Sequence, residues 1–283
     1  MTDTRDSRDA AWFAGVDPGD ADAAAEAVRE GAADAPADWP TLAVETGFAG
    51  DTDEYYERLR GATLRATRAA VREREGADDQ QLIHAVRAAA DLADAANELA
   101  ERGTEWAGSV FDDVEGGVEG ARAVAEREPE TATQERAVGV CRRAAALADE
   151  RDAVREYVAQ QAPAVAPNLA NLAGPMLAAR LIALAGGLGD LAKQPSGTVQ
   201  VLGAEDALFA HLRGHAPSPK HGVIYTHDYV RETRPEHRGS AARALAGKLT
   251  IAARVDHYSG DLRPELAAEL DDRIERIRAR GAE

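Results

Sequence analysis

Residues 82–100 read LIHAVRAAADLADAANELA, a stretch without glycine or proline in which apolar residues recur at helical spacing. Leu82, Ala89 and Ala96 follow one another every seven residues, and each is followed by a further apolar pair, at 85–86, 92–93 and 99–100. This spacing indicates a seam of a and d positions about three heptads long. Because its residues are mostly alanine, a second helix can approach closely. We therefore predict a long helix over 78–107.

A second stretch of similar character follows Pro129. Its apolar positions keep spacings of three and four residues, interrupted by Arg151, and are Val140, Ala144, Leu147, Val154 and Val158. Between the two stretches, DDVEGGVEG at 112–120 breaks the helical pattern. Two seams joined by such a connector predict an antiparallel helical hairpin or coiled coil. Two ordinary amphipathic helices packed onto a globular body are the alternative that periodicity leaves open.

The flanking regions complete a mainly α fold. Glycine and proline are dense in residues 1–50, which indicates a small irregular N-terminal module, and a helix is predicted over 52–74. From Pro163 onward, apolar helical runs alternate with glycine and proline, as expected for short, tightly packed helices. Further helices are predicted at 239–256 and 264–280. We expect four parts, with bounds at 1–60, 61–162, 163–260 and 261–283.

Charge is distributed unevenly along the chain. Residues 1–160 contain 18 arginines against 36 acidic residues, whereas residues 161–283 contain 15 basic and 14 acidic residues. All three lysines and six of the seven histidines lie in the second part. Any site for a polyanion is therefore expected there. The acid-rich, lysine-poor composition suits a surface that must stay hydrated in concentrated salt, which leads to the hypothesis of a halophilic protein. At about 1 M salt the Debye length is only about 3 Å, so a basic patch would gain little there and a modestly charged RNA site is expected.

Several classes of function find no support in the sequence. The single Cys141 cannot form an internal disulfide and is interpreted as a core residue. No run of about 18 apolar residues occurs, and the N-terminus is acidic, so a cytoplasmic protein without a membrane segment is expected. Gly186 and Gly187 lack the spacing of a phosphate loop and are interpreted as a helix C-cap.

Four histidines lie close together in the second part of the chain. His211 and His215 are four residues apart on a predicted helix, with His221 and His227 downstream, which is the spacing of a possible imidazole metal face. No acidic residue lies between His211 and His215, where the general base of a zinc peptidase would stand, and capping, packing or hydrogen bonding to RNA are the competing roles. A helical enzyme that uses these histidines is the alternative, but no catalytic or metal-binding residue is predicted.

Three blocks of sequence resemble a known family. They are APNLANLAGPMLAARLIALAGGLGDLAKQPSGTVQVLGAEDALFAHLRG at 166–214, PKHGVIYTHDYV at 219–230 and RGSAARALAGKLTIAARVD at 238–256. Together they resemble the Nop domain, the RNA–protein recognition module of box C/D scaffold proteins and a spliceosomal relative. The stretch 82–111, with its Glu-Trp pair, resembles the coiled-coil arm of the same family.

The resemblance implies a non-catalytic scaffold with a helical Nop domain at 163–260. In the family, coiled coils pair two copies, and the N-terminal domain docks a fibrillarin-type methyltransferase. Residues 1–60 would be a reduced form of that domain. The Nop domain binds box C/D guide RNA together with a kink-turn-binding, ribosomal-protein-like protein. No cofactor is implied on this chain, since S-adenosylmethionine belongs to the methyltransferase that modifies RNA ribose at the 2′-oxygen.

The resemblance also implies an RNA-facing surface formed by the 203–206 loop, the 220–227 segment and one face of helix 239–256. Its residues are Gly203, Ala204, Glu205, Lys220, His221, Tyr225, His227, Arg238, Arg243 and Lys248. Backbone N–H groups at the glycine turn and at a helix N-terminus are expected to help bind phosphate, and Arg254 is expected to form a structural ion pair. Asp206 and Ser240 stand where the family has lysine. A protein–protein adaptor that has lost RNA contact is therefore the alternative function.

Overall fold

The computed structural model describes residues 11–31 and 37–280, so the predicted acidic N-terminus falls largely outside the described residues. The described residues form helices and no strand, which confirms the predicted mainly α class. The chain divides into two compact units, one ending at Ala77 and the other beginning at Asp78.

The described residues of the first unit form three helices, α1 (Ala21–Glu30), α2 (Trp39–Glu45) and α3 (Thr52–Glu75). Aromatic rings form its core: Phe13 stacks on Phe48 with centroids 4.8 Å apart, and Trp12 donates a hydrogen bond to the Tyr55 hydroxyl at 3.2 Å. The Asp51 carboxylate accepts the Glu54 N–H at 2.7 Å and caps the start of α3. The predicted helix at 52–74 is confirmed.

The second unit begins with two long helices, α4 (Asp78–Gly108) and α6 (Ala132–Val165), which confirm the two predicted arms. They run antiparallel. The start of α4, at Leu82 and Val86, packs in the same cluster as Val158 near the end of α6. The end of α4, at Ala107, packs with Val138 near the start of α6.

Two details of this hairpin differ from the prediction. Ala144 and Val158 of the predicted α6 seam are buried, as expected. At two other positions the buried residue is the next one along the chain: Cys141 and Ala148 are buried, whereas Val140 and Leu147 are only half-buried. The connector also contains a short helix, α5 (Gly117–Ala125), which packs on both arms. Gly120 makes this helix possible, since a Cβ there would lie 1.8 Å from the Glu115 carbonyl oxygen.

Short helices then build the body of the second unit: α7 (Pro167–Ala173), α8 (Pro175–Ala185), α9 (Leu188–Lys193), α10 (Ser196–Val201), α11 (Glu205–Leu212), a 3-10 turn (Val223–Thr226) and α12 (Asp228–Arg231). Gly186 ends α8 with φ +90°, as predicted for a C-cap. Gly187 instead precedes α9, with φ +146°. Breakers therefore separate helices that are individually apolar, as the sequence pattern predicted.

Helix α13 (Arg238–Tyr258) runs through the core of this body and packs on α7, α9, α10 and the C-terminal helix α14 (Glu265–Ala279). Buried Asp256 fixes its far end. One carboxylate oxygen accepts the Asn168 backbone N–H at 2.9 Å and its side-chain amide at 2.6 Å, while the other accepts the Leu169 N–H at 2.9 Å. The carboxylate thus caps α7 and ties it to α13.

No single helix among the described residues is long and apolar enough to cross a membrane. Only α7 and α8 taken together pass that test, and they are bent by 118°. The part of the chain that the structure describes also holds no group of three or more His, Cys, Asp or Glu side chains that could bind a metal ion.

Candidate nucleic-acid interface

The structure brings two of the predicted segments together as a hydrogen-bonded platform, defined here as residues 200–205 and 220–225. The Gly222 N–H donates to the Gln200 carbonyl at 2.9 Å, and the Val223 N–H donates to the Leu202 carbonyl at 2.7 Å. The Gln200 side-chain amide donates to the Lys220 carbonyl at 2.7 Å. The backbone from Lys220 to Val223 is therefore hydrogen-bonded to residues 200–202.

Two glycines permit this close approach. Gly203 has φ +81°, and a Cβ there would lie 3.3 Å from both Leu184 Cδ1 and Val223 Cβ. At Gly222 a Cβ would lie 2.0 Å from the Leu202 carbonyl oxygen, which is impossible without a shift of backbone. Both positions must be glycine for the platform to close.

Aromatic and cationic groups line the edge of the platform. The His221 and Tyr225 rings stack with centroids 4.6 Å apart, and the Arg238 guanidinium lies 5.5 Å from the Tyr225 ring centroid. Arg238 is held there, since its Nε donates to the Thr233 carbonyl at 3.0 Å. Burial, with a smaller contribution from the Arg238 charge, lowers the pKa of His221. His221 is therefore a neutral, half-buried ring at neutral pH, suited to stacking and hydrogen bonding.

The start of α13 extends this surface. The Lys220 side chain runs beside Gly239, where a Cβ would lie 3.8 Å from Lys220 Cδ. Arg243 follows one turn later on the same face of the helix. It is exposed and forms no hydrogen bond or ion pair with any residue in 11–31 or 37–280. Lys220, His221, Tyr225, Arg238 and Arg243 thus form one continuous surface, called here the basic edge.

The glycine turn differs from what was expected. The Glu205 carboxylate accepts the Gly203 N–H at 2.8 Å, and the Ala204 N–H donates to the Val201 carbonyl at 2.9 Å. These backbone donors are therefore already bonded within the protein. The expectation that they bind phosphate is wrong for this conformation, and Glu205 acts as a brace for the turn.

Two other predicted site residues take part in internal contacts. The neutral His227 ring donates through Nε2 to the Leu172 carbonyl at 3.0 Å and accepts the Tyr229 N–H at Nδ1 at 3.1 Å. Burial lowers the pKa of His227, although the Leu172 carbonyl opposes the shift. Lys248 forms an ion pair with Glu269 of α14 and is mostly buried. The hydrogen bonds and the ion pair of these two residues are therefore made with residues outside the basic edge.

Around the basic edge, one residue differs from its expected role and two were not predicted. Arg254, expected in an ion pair, instead donates through Nε to the Ala192 carbonyl at 3.1 Å. Gln200 was not predicted. Nothing in the sequence indicates that a glutamine within an apolar helix would donate a hydrogen bond to a backbone carbonyl 20 residues away. Gly239 was also missed, although its position at the start of a predicted helix was a signal for close approach.

Comparison with known proteins places this arrangement in a family. A family model named Nop, described as "snoRNA binding domain, fibrillarin", matches residues 77–277, more than half of the chain. The chain belongs to the Nop family. The match contains the arms, the platform and the basic edge, whereas nearly all of the first unit lies outside it.

Individual Nop relatives give the same result over a shorter range. An uncharacterized NOP5 family protein of Methanocaldococcus jannaschii is 49% identical over 132 residues, 47% of this chain and 32% of that protein. Nucleolar protein 56 of Saccharomyces cerevisiae is 39% identical over 47% of this chain and 26% of its own length. Human Nucleolar protein 58 is 38% identical over 50% of this chain and 28% of its own length. The matches span about a third or less of these relatives.

A solved structure shares the fold over a longer range. A chain in the crystal structure of a fibrillarin/Nop5p complex superposes with a TM-score of 0.52 and covers 90% of this chain and 92% of its own. The two sequences are 24% identical, so this likeness concerns the fold.

Proposed function

We propose that this Nop-family protein is a non-catalytic scaffold of a box C/D guide ribonucleoprotein in the cytoplasm. It would bridge kink-turn guide RNA and its ribosomal-protein-like binder to a fibrillarin-type methyltransferase. The observation that carries the proposal is the basic edge: Lys220, His221, Tyr225, Arg238 and Arg243 form one surface within the range of a snoRNA-binding family. The described residues offer stacking and charge there, and the chemistry of methyl transfer would belong to the partner.

Charge argues for a composite RNA–protein site. Residues 193–257 contain nine basic and six acidic residues, a small excess for a polyanion site. Several of these cations are engaged inside the protein: Lys248 with Glu269, Arg231 with Asp228, and Arg254 with a carbonyl. Few phosphates can be neutralised, so contacts with a bound protein must supply part of the affinity.

Arg243→Ala is expected to weaken binding to a preformed complex of kink-turn RNA and its protein binder by about 1–3 kcal/mol, the range for a charged hydrogen bond. Binding to naked RNA should change little, because it is already weak. Titration by gel shift measures both. The matched control is Arg273→Ala, which removes an exposed arginine from α14 instead. Equal losses for the two variants would contradict a specific role of Arg243. Lys248→Ala needs a parallel stability measurement, since it also breaks the contact with Glu269.

We infer that the first unit carries the methyltransferase contact, with S-adenosylmethionine bound to that partner. Two observations support this inference. The chain divides into two units at Ala77, and the Nop match, at 77–277, covers only the last residue of the first unit. A variant lacking residues 1–77 should join the RNA complex but fail to recruit the methyltransferase, with circular dichroism confirming that it stays helical. A folded truncated protein that no longer joins the RNA would contradict this division.

We also infer that two copies pair through α4 and α6. Leu92 of α4 remains half-buried, as do Val140 and Leu147 of α6, and none of the three packs against the core clusters of the second unit. Apolar side chains of this kind on both α4 and α6 could pack against the hairpin of a second copy.

An adaptor that binds only proteins is the second candidate function. It is favoured by Asp206 and Ser240, since an acidic side chain in the first turn of α11 repels phosphate and serine lacks a charge. The gel shift described above separates the two functions. An adaptor would bind the kink-turn protein equally well with and without RNA.

A further inference from the structure

The basic edge depends on a short segment that contributes none of its side chains, residues 228–233, called here the 228–233 turn. Arg238 is bonded to this turn twice: its Nε donates to the Thr233 carbonyl at 3.0 Å, and its Nη2 donates to the Arg231 carbonyl at 3.2 Å. These bonds hold the guanidinium 5.5 Å from the Tyr225 ring centroid, within reach of a cation–π contact. The place of Arg238 on the basic edge is therefore set by where the turn lies.

The C-terminal helix α14 holds the 228–233 turn through Arg278. Its Nε donates to the Thr233 hydroxyl at 3.3 Å, and its Nη2 donates to the Asp228 carbonyl at 3.0 Å. Thr233 is only 2% exposed, and its hydroxyl donates in turn to the Tyr229 carbonyl at 2.6 Å. One guanidinium thus binds the first and the last residue of the turn.

Helix α14 is a firm support for this contact. Leu266, Leu270 and Ile274 are buried in the core cluster of the second unit. The Tyr229 hydroxyl also donates to the Asp271 carboxylate, which gives the turn a further bond to the same helix. The turn is therefore attached to a helix whose own position is fixed by apolar burial.

We propose that Arg278 is a positioning residue for the basic edge: it holds the 228–233 turn, and the turn holds Arg238 beside Tyr225. The proposal rests on the scaffold function proposed above. Arginine suits the role because its planar fork can bind two acceptors at once, whereas the lysine ammonium is a compact point charge. The Arg278 guanidinium also lies 3.9 Å from the Glu232 carboxylate, which offsets part of its charge. Its contribution would thus come from geometry.

The NMR signal of the Arg238 Nε–H group tests positioning without RNA. In the full chain labelled with nitrogen-15, the signal is assigned by its loss in Arg238→Lys. Arg278→Ala and Arg278→Lys should both shift or broaden it, because the Thr233 carbonyl that accepts the bond would move. Arg276→Ala is the matched control, since it removes an exposed arginine from the same last turn of α14, where its Nε donates to the Asp272 carbonyl of its own helix. An unchanged signal in Arg278→Ala overturns the proposal.

Assembly with the preformed complex of kink-turn RNA and its protein binder tests what positioning contributes. Arg278→Ala and Arg278→Lys should each raise the dissociation constant by a factor of about three to ten, the effect of losing one ordinary hydrogen bond. Arg276→Ala should not change it. The dependence on salt should keep the wild-type slope, because no phosphate contact is lost. A shallower slope for Arg278→Ala, or wild-type affinity for Arg278→Lys, would reveal a direct charge contact with RNA and overturn the proposal.

A double-mutant cycle tests whether Arg278 acts through Arg238. Arg278→Ala should cost little when added to Arg238→Ala, because the side chain that it positions is already absent. Additive losses overturn the proposal. Circular dichroism checks that each variant is folded, and Arg278→Lys, which keeps the charge, replaces Arg278→Ala if the latter loses helix. If the wild type joins no RNA complex, the scaffold function fails, and the Arg238 signal still decides whether Arg278 positions that side chain.

Discussion

Replacing Asp256 by alanine is expected to lower the free energy of unfolding of the second unit by about 3 kcal/mol or more. The buried carboxylate accepts three N–H groups from Asn168 and Leu169, and those donors would lose their partner inside the protein. The loss would also free the 259–264 connector, because Asn168 accepts the Arg263 N–H at 2.7 Å. Chemical denaturation followed by circular dichroism measures the change.

Two further variants make the Asp256 result interpretable. Asp272→Ala removes an exposed carboxylate from α14 and should change stability by less than about 0.5 kcal/mol. Asp256→Asn keeps the shape but loses the charge and one acceptor oxygen, so its effect should be intermediate. If Asp256→Ala were as stable as Asp272→Ala, the carboxylate would not hold α7 against α13.

Gly222→Ala is expected to weaken assembly with the preformed RNA–protein complex at least about tenfold, or about 1.4 kcal/mol. The new Cβ would lie 2.0 Å from the Leu202 carbonyl oxygen and 2.6 Å from the Val201 carbonyl carbon, so the platform must open. Opening it moves Lys220, His221 and Tyr225 relative to Arg238. The dissociation constant by gel shift is the measurement, and helical content should stay near that of the wild type.

Gly197→Ala is the matched control for that change. It adds the same methyl group in α10, close to the platform in sequence, where nothing lies within 4 Å of the new Cβ. Alanine also favours a helix over glycine by up to about 1 kcal/mol, so this variant should be as stable or more stable. If Gly222→Ala joined the RNA–protein complex as tightly as the wild type does, the platform would not be what positions the basic edge.

Periodicity predicted the long helices well. The heptad spacing from Leu82 to Ala96 and the absence of proline identified α4 almost to its ends, because a helix of that length depends on local patterning. The predicted α6 seam was one residue out at Val140, since Val140 and Cys141 are both apolar and only the packing around α6 decides which is buried. Helix α5 was missed because glycines normally break helices, while here Gly120 permits a tight turn onto Glu115.

The candidate site was predictable only through the resemblance of its sequence blocks. Residue type alone could not show that His227 and Lys248 are engaged with Leu172 and Glu269, since these contacts join residues 55 and 21 positions apart. Nor could it show that Glu205 binds the Gly203 N–H.

The most direct test of a composite RNA–protein site is the salt dependence of binding, measured in parallel for naked kink-turn RNA and for the same RNA bound to its protein partner. We expect the chain to join the preformed complex with a log–log slope of roughly −2, as for two or three phosphate contacts. Naked RNA should bind weakly at every salt concentration. Tight binding to naked RNA with a much steeper slope would contradict the composite site, and no binding to either would contradict the scaffold function.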